Sequence, residues 1–411
     1  MLRANFYYGK TMTVYSLTIS VVLYSLAIPL LVFIFFTKIP AFDRAMAGDS
    51  PGKYSYLDPV RGIAALLVFI HHSIMVFNQH AYGKFDFFGV FNYKSELIKK
   101  FYFHFGQASV MMFFMITGFL FFTKLIYSDR PLNVVYFFRS RVMRLLPAMC
   151  SCFLLYIFAC YMLRDDSVNS SLINLFMAWF SFGFVELPRV SSSIPGWSLT
   201  AGVFWTLVVE WKFYILLPLL ASIISGKRSA ILFLLIAAFT VTYLFKMHYF
   251  SSNEYLNKKG ATVLLCFLTG LTIAILNRYY SIHYSKWIAS PAVALCLVFI
   301  YSLTFSFTYD AYNFIVMTAL GVILLAVISG NPFFGILKLK ALHWAGKCSY
   351  SIYIMHALTM NVVFYFTINM GYYACFFMAA VTLCLLSLAN YVFVERKYMY
   401  TPNKEAQAIA G

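Results

Sequence analysis

Apolar runs of bilayer length recur along the whole chain, near 13–37, 59–78, 106–126, 145–163, 201–224, 229–249, 261–277, 287–307, 312–329, 347–368 and 374–394. When helical, about twenty apolar residues span the ~30 Å hydrocarbon layer of a membrane. A helix also satisfies its own backbone N–H and C=O groups, as a lipid interior demands. Eleven such runs in 411 residues leave no room for a large soluble domain. With 62% of residues hydrophobic and 11% charged, the fold expected is an all-α polytopic membrane helical bundle of about 11 transmembrane helices. The apolar stretch 172–185 is too short to span easily and reads as a re-entrant or interfacial segment. The run Val14 to Phe36 is too long for the apolar core of a cleavable signal, and it reads as a true span.

The formal charge is +17. In a soluble chain this would suggest nucleic acid, but here the basic residues lie mostly between apolar runs, where they set topology and meet lipid headgroups. No nucleic-acid partner is expected; the partner is the bilayer. Of the 31 Lys and Arg residues, 18 fall on the side that holds the C-terminus and 11 on the other, with Arg61 and Lys212 inside spans. The excess predicts a cytoplasmic C-terminus and an N-terminus outside. The eight cysteines include no CxxC pair. They read as small core hydrophobes rather than disulfides or ligands, and no metal is expected.

Against this apolar background, a few ionisable residues stand out because burying them is costly and by default marks a functional path. Arg61 and His72 share the second run, eleven residues apart. That separation is ~16 Å along a helix, so an arginine near one membrane face puts the histidine near mid-bilayer. Glu210 in the run 201–224 and His356 in the run 347–368 arrive at similar depth. Glu210 is the one acidic residue read as deep within a span. A buried histidine is often only a satisfied core group, and His71 and His356 each carry that plainer reading. His71 and His72 point about 100° apart on a helix, so at most one is expected to face a given site. A histidine with a carboxylate helper suits proton transfer, which makes Glu210 the expected partner of His72. The segment Arg139 to Pro147 precedes the fourth run. It places Arg141 and Arg144 on one helical face, suited to phosphate; the plainer reading is a topology signal with lipid contacts. Trp179, Phe184, Trp197 and Trp205 read either as an interfacial belt or as platforms for a sugar.

Five ordered stretches resemble the acyltransferase-3 family of integral membrane acyltransferases, which includes bacterial O-antigen and exopolysaccharide O-acetyltransferases. They are Tyr56-Leu-Asp-Pro-Val-Arg-Gly-Ile-Ala-Ala-Leu66 with His72, Phe113-Phe-Met-Ile-Thr-Gly-Phe-Leu120, Arg139-Ser-Arg-Val-Met-Arg-Leu-Leu-Pro147, Trp205-Thr-Leu-Val-Val-Glu-Trp-Lys-Phe-Tyr214 with Pro218, and Ser349-Tyr-Ser-Ile-Tyr-Ile-Met-His356. Val392-Phe-Val-Glu395 is similar to the family's closing segment. Thr117 and Thr206 stand where serine is usual, Ser140 replaces an arginine, and Lys397 stands where proline is common.

The resemblance implies a 10-helix membrane domain over 54–397. An extra N-terminal helix and loop (1–53) precede it, and a cytoplasmic tail (398–411) follows. It also implies transfer of an acetyl group from cytoplasmic acetyl-CoA, the acyl donor, to a hydroxyl of a glycan acceptor, free or lipid-linked, at the bacterial inner membrane. His72, Glu210 and Arg61 are the expected catalytic residues. Arg61, Arg141 and Arg144 are expected to hold the CoA phosphates, and Trp205, Tyr214, Tyr350 and His356 the substrate. His72 acts either as a general base or as a transient acyl carrier. The competing class is a proton-coupled transporter or flippase, which buried His and Glu fit equally well. Within the enzyme reading, succinyl or another acyl group competes with acetyl.

Overall fold

A computed structural model describes residues 15–17, 19–47, 54–87, 91–93, 96–127, 132–164, 171–191, 194–224, 226–280 and 311–398, with fragments of 290–299. The helices in chain order are α1 (Ile19–Thr37), α2 (Pro40–Met46), α3 (Leu57–Tyr82), α4 (Glu96–Tyr127), α5 (Val134–Leu163), α6 (Leu172–Phe180), α7 (Gly196–Leu199), α8 (Phe204–Ile223), α9 (Lys227–Lys246), α10 (Glu254–Tyr279), α11 (Phe314–Ile328), α12 (Lys340–Lys347), α13 (Ser349–Thr367) and α14 (Tyr372–Asn390). A π-helical turn at Tyr391–Glu395 continues α14. Two three-residue strands, β1 (Tyr15–Leu17) and β2 (Phe91–Tyr93), pair in parallel with Tyr15 opposite Phe91.

Among the described residues, nine helices are long and apolar enough to cross a membrane: α1, α3, α4, α5, α8, α9, α10, α13 and α14. Helix α11, with fifteen residues, is apolar but shorter. The expected run 287–307 lies largely outside the described residues, and the other ten expected runs fall on these nine helices and α11. The stretch 172–185 forms the nine-residue helix α6 followed by a turn. Large apolar side chains point outward on α9, where Leu235 is 62% and Phe239 is 74% exposed. Exposure of that kind marks a lipid-facing surface.

The helix ends are written in the sequence. Asn133, Ser171, Asn253 and Asn313 each accept a bond from the backbone N–H three residues on, capping α5, α6, α10 and α11. Gly83 closes α3 in the left-handed region, with φ 72°.

The interior divides into two apolar clusters. One joins α1, α3, α5, α12, α13 and α14; the other joins α4, α8, α10 and α11. Tyr350 packs against both, so it sits on the seam. In the second cluster α4 and α10 approach backbone to backbone. A Cβ on Gly118 would meet the Phe267 carbonyl oxygen at 2.6 Å, and one on Gly270 would meet that of Met115 at 2.6 Å. Small residues permit such approach in membrane bundles. The seven described cysteines are free, and all but Cys150 are buried; Cys296 lies outside the described residues.

Candidate active site

Two cavities open along the seam. The first, of roughly 250 Å³, is lined by Arg61 from α3, Lys124 from α4, Arg141 and Arg144 from α5, Glu210 and Tyr214 from α8, and Tyr350 from α13. Helix α5 is continuous for 30 residues from Val134, with Pro147 inside it. The arginine segment is therefore the first half of the helix that carries the fourth apolar run. The i, i+3 spacing of Arg141 and Arg144 turns both toward the cavity. The Arg141 guanidinium lies over the Phe121 ring, 5.1 Å from its centroid. Arg61 Nη1 donates to Asp58 Oδ1 at 3.4 Å. The Tyr214 hydroxyl donates a short hydrogen bond to Glu210 Oε1, one helical turn away. Glu210 lies within electrostatic reach of Arg61 and Arg141. Four cations facing one carboxylate make this cavity strongly electropositive.

The second cavity, of roughly 290 Å³, holds His71 and His72 from α3, Trp197, Trp205 from α8, Tyr255 and Lys259 from α10, and Tyr312. The Lys259 ammonium stands over the Trp205 ring, 3.7 Å from its centroid. The Gln107 amide donates to the Tyr255 hydroxyl at 3.3 Å. Val110 and Tyr353 line both cavities.

Helical periodicity accounts for the alignment. Eleven residues turn a helix by about 1,100°, some 20° beyond three full turns. Arg61 and His72 therefore point the same way along α3, one into each cavity. On α4 the stripe Gly106, Val110, Phe113, Thr117, Phe121 and Lys124 runs from the histidine cavity to the basic one at helical spacing. Gly106 lets α4 close on the histidines, since a Cβ there would meet the His71 ring at 2.5 Å.

His72 is paired with His356. Its Nδ1 lies 3.0 Å from His356 Nε2, and the rings stack with centroids 5.1 Å apart. His356 Nδ1 lies 2.8 Å from the Tyr353 carbonyl oxygen. A carbonyl only accepts, so His356 Nδ1 carries a proton. In a neutral ring Nε2 is then the acceptor and His72 Nδ1 the donor. His72 Nε2 is left holding the lone pair, the state a proton acceptor needs.

This arrangement of cationic cavity, shared wall and histidine cavity accompanies a family match. The acyltransferase domain family (Acyl_transf_3) matches residues 54–389. The chain belongs to the acyltransferase-3 family. The acyltransferase is 23% identical over 361 residues to an O-acetyl transferase of Shigella phage Sf6, a match covering 84% of this chain and 96% of that protein. No solved structure matches it.

The positions of the expected residues in the acyltransferase differ from the sequence reading in four respects. His72 and Glu210 fall in different cavities; the hydrogen-bond partner of His72 is His356, and that of Glu210 is Tyr214. His356, fully buried, stands behind His72 rather than on a cavity wall. His71 shares the histidine cavity with His72 despite the 100° offset, its ring centroid 4.7 Å from that of His72. His71 Nδ1 bonds the Tyr102 carbonyl oxygen at 2.5 Å, which tilts the ring into the same space. Trp179 is no platform: it is fully buried, stacks on Tyr156 and donates to the Met149 carbonyl at 3.0 Å.

A second acidic group, near the end of the last span, is also buried in the protein. Glu395 is 1% exposed, where the π-helical turn directs it inward to Ser351 and Asn390. Lys124, Lys259 and Tyr353 line these cavities, and the sequence reading gave them no site role. Only Tyr353 carried a usable signal, lying three residues from both Tyr350 and His356 and so on their helical face.

Proposed function

We propose that this membrane acyltransferase moves an acetyl group from cytoplasmic acetyl-CoA to a hydroxyl of a surface or exported polysaccharide, of O-antigen or exopolysaccharide type, in the bacterial inner membrane. The observation that carries this reading is the pair of cavities meeting at Val110 and Tyr353, one lined by four cations and the other by His72. The basic cavity suits the phosphates of CoA, which Arg61, Arg141 and Arg144 would grip by charge-assisted, bidentate bonds. The excess of basic residues on the C-terminal side supports turning that cavity, with the C-terminus, toward the cytoplasm. Trp205 and Trp197 offer aromatic faces to a sugar in the other cavity.

In the reaction His72 Nε2 takes the proton of the acceptor hydroxyl, whose oxygen attacks the thioester carbonyl carbon. The C–O bond forms, the C–S bond breaks, and the departing thiolate takes the proton back from His72. His356 orients the His72 ring and shares the transient positive charge. Glu210, held by Tyr214, keeps Arg61 and Arg141 aligned for the donor. The O-acetyl name of the phage Sf6 relative supports both the acyl group and an oxygen acceptor.

The test uses the purified full chain in lipid nanodiscs, radiolabelled acetyl-CoA and the host's surface polysaccharide stripped of O-acetyl groups by mild alkali. Label appears in the polysaccharide, and His72→Ala abolishes it. Absence of transfer, or transfer that survives His72→Ala, rejects the proposal.

A further inference from the structure

We infer that Tyr353, Thr206 and Val110 form a fixed filter between the two cavities that admits only a short acyl group, so the donor class is a short-chain acyl thioester. The inference rests on the acyl-transfer reading above. Arg61, Lys124, Arg141 and Arg144 lie on one side of this wall and His72 on the other, while Val110 and Tyr353 belong to both sides. A thioester anchored by its phosphates among Arg61, Arg141 and Arg144 reaches His72 only past these side chains.

The wall is pinned rather than hinged. The Thr206 hydroxyl donates to the Val203 carbonyl oxygen at 2.8 Å, which uses its one proton. At 2.9 Å from the Tyr353 hydroxyl it therefore accepts. The Tyr353 ring is held at its hydroxyl by Thr206 and on its side by the edge-on ring of Phe113, with centroids 5.8 Å apart. Its backbone carbonyl is fixed by His356. Val110, the other side chain that lines both cavities, is β-branched with restricted χ1. An acyl chain with extra methylenes has to displace groups that are locked by hydrogen bonds and packing. Discrimination at such a wall is about 10–200-fold per methylene.

Acetyl-, propionyl- and butyryl-CoA, each radiolabelled in the acyl group, are compared as donors to de-O-acetylated polysaccharide with the full chain in nanodiscs. The wild type is expected to use butyryl-CoA, two methylenes longer, at least about a hundredfold more slowly than acetyl-CoA. In Val110→Ala and in Tyr353→Phe the butyryl-to-acetyl rate ratio rises about tenfold or more. A ratio within one preparation does not depend on how much protein folded. Equal use of the three donors by the wild type, or an unchanged ratio in both variants, overturns the filter while leaving acyl transfer in place. Failure of the wild type with all three donors overturns acyl transfer itself, and the filter with it.

Discussion

His72 Nδ1 and His356 Nε2 lie 3.0 Å apart across 284 residues of chain, and this bond leaves the lone pair of His72 on Nε2. Because His356 is itself oriented by the Tyr353 carbonyl, on the proposed mechanism the second histidine takes the orienting task that a carboxylate performs in other relays. His72→Ala is expected to abolish measurable transfer, since a positioned base usually contributes about 10²–10⁴-fold. His356→Ala leaves the base present but unoriented, so kcat falls with little change in KM for acetyl-CoA. Steady-state kinetics on both variants check this, and a change confined to KM for the His356 variant rejects the relay.

The basic cavity predicts a different kinetic signature. Each guanidinium bound to phosphate contributes about 1.5–3 kcal/mol, so Arg144→Ala raises KM for acetyl-CoA by about 10–100-fold. Arg141→Lys keeps the charge but loses the planar fork, so its KM rises less than that of Arg141→Ala. Isothermal titration with CoA and with CoA lacking its 3′-phosphate measures both. Arginine variants that bind CoA like the wild type reject this placement of the donor.

Gly106 tolerates no side chain beside His71, where a Cβ would come within 2.5 Å of the ring. Gly106→Ala therefore forces α4 and α3 apart at the histidine cavity, at a cost of about 1–3 kcal/mol. A lower melting midpoint in detergent, accompanied by lost transfer, is the expected outcome. An unchanged midpoint with full activity shows that the helices separate freely there.

Glu395 holds a buried polar cluster together. It accepts from Ser351, and the Asn390 amide donates to Ser351 at 2.6 Å and to Glu395 at 3.3 Å. Glu395→Ala leaves these groups without an acceptor, at about 1–3 kcal/mol for each buried group stranded. The melting midpoint falls, and Glu395→Gln, which keeps an acceptor oxygen, loses less. Equal loss in the two variants argues that the carboxylate charge, rather than the hydrogen bonding, is what matters.

What could be read from the sequence follows from how local each signal is. Spans depend on composition within a window, so α3, α8 and α13 were expected close to where they stand. The facing of Arg61 and His72 depends on one helix's periodicity, and that too was legible. The facing of Arg141 and Arg144 was equally so. The partner of His72 was not, because it depends on how α3 and α13 are rotated against each other, and equal depth alone could not choose between Glu210 and His356. Glu395 is legible as part of the closing segment, but its burial is not, because a π-helical turn shifts the side-chain phase in a way that no 3.6-residue pattern anticipates. Trp179 looked like a surface aromatic because α6 is amphipathic and short, and its docking onto Tyr156 is a tertiary event.

The bond from His356 to the Tyr353 carbonyl has a further consequence. A backbone carbonyl binds a proton through space but does not take ownership of it. The line of donors that starts at His72 is therefore a cul-de-sac. A proton picked up by His72 leaves by the route it entered, or on the departing thiolate, and has no onward stepping-stone through His356. The helices packed behind His72 therefore offer its proton no exit through His356, and on the proposed mechanism the proton travels only with the reacting groups.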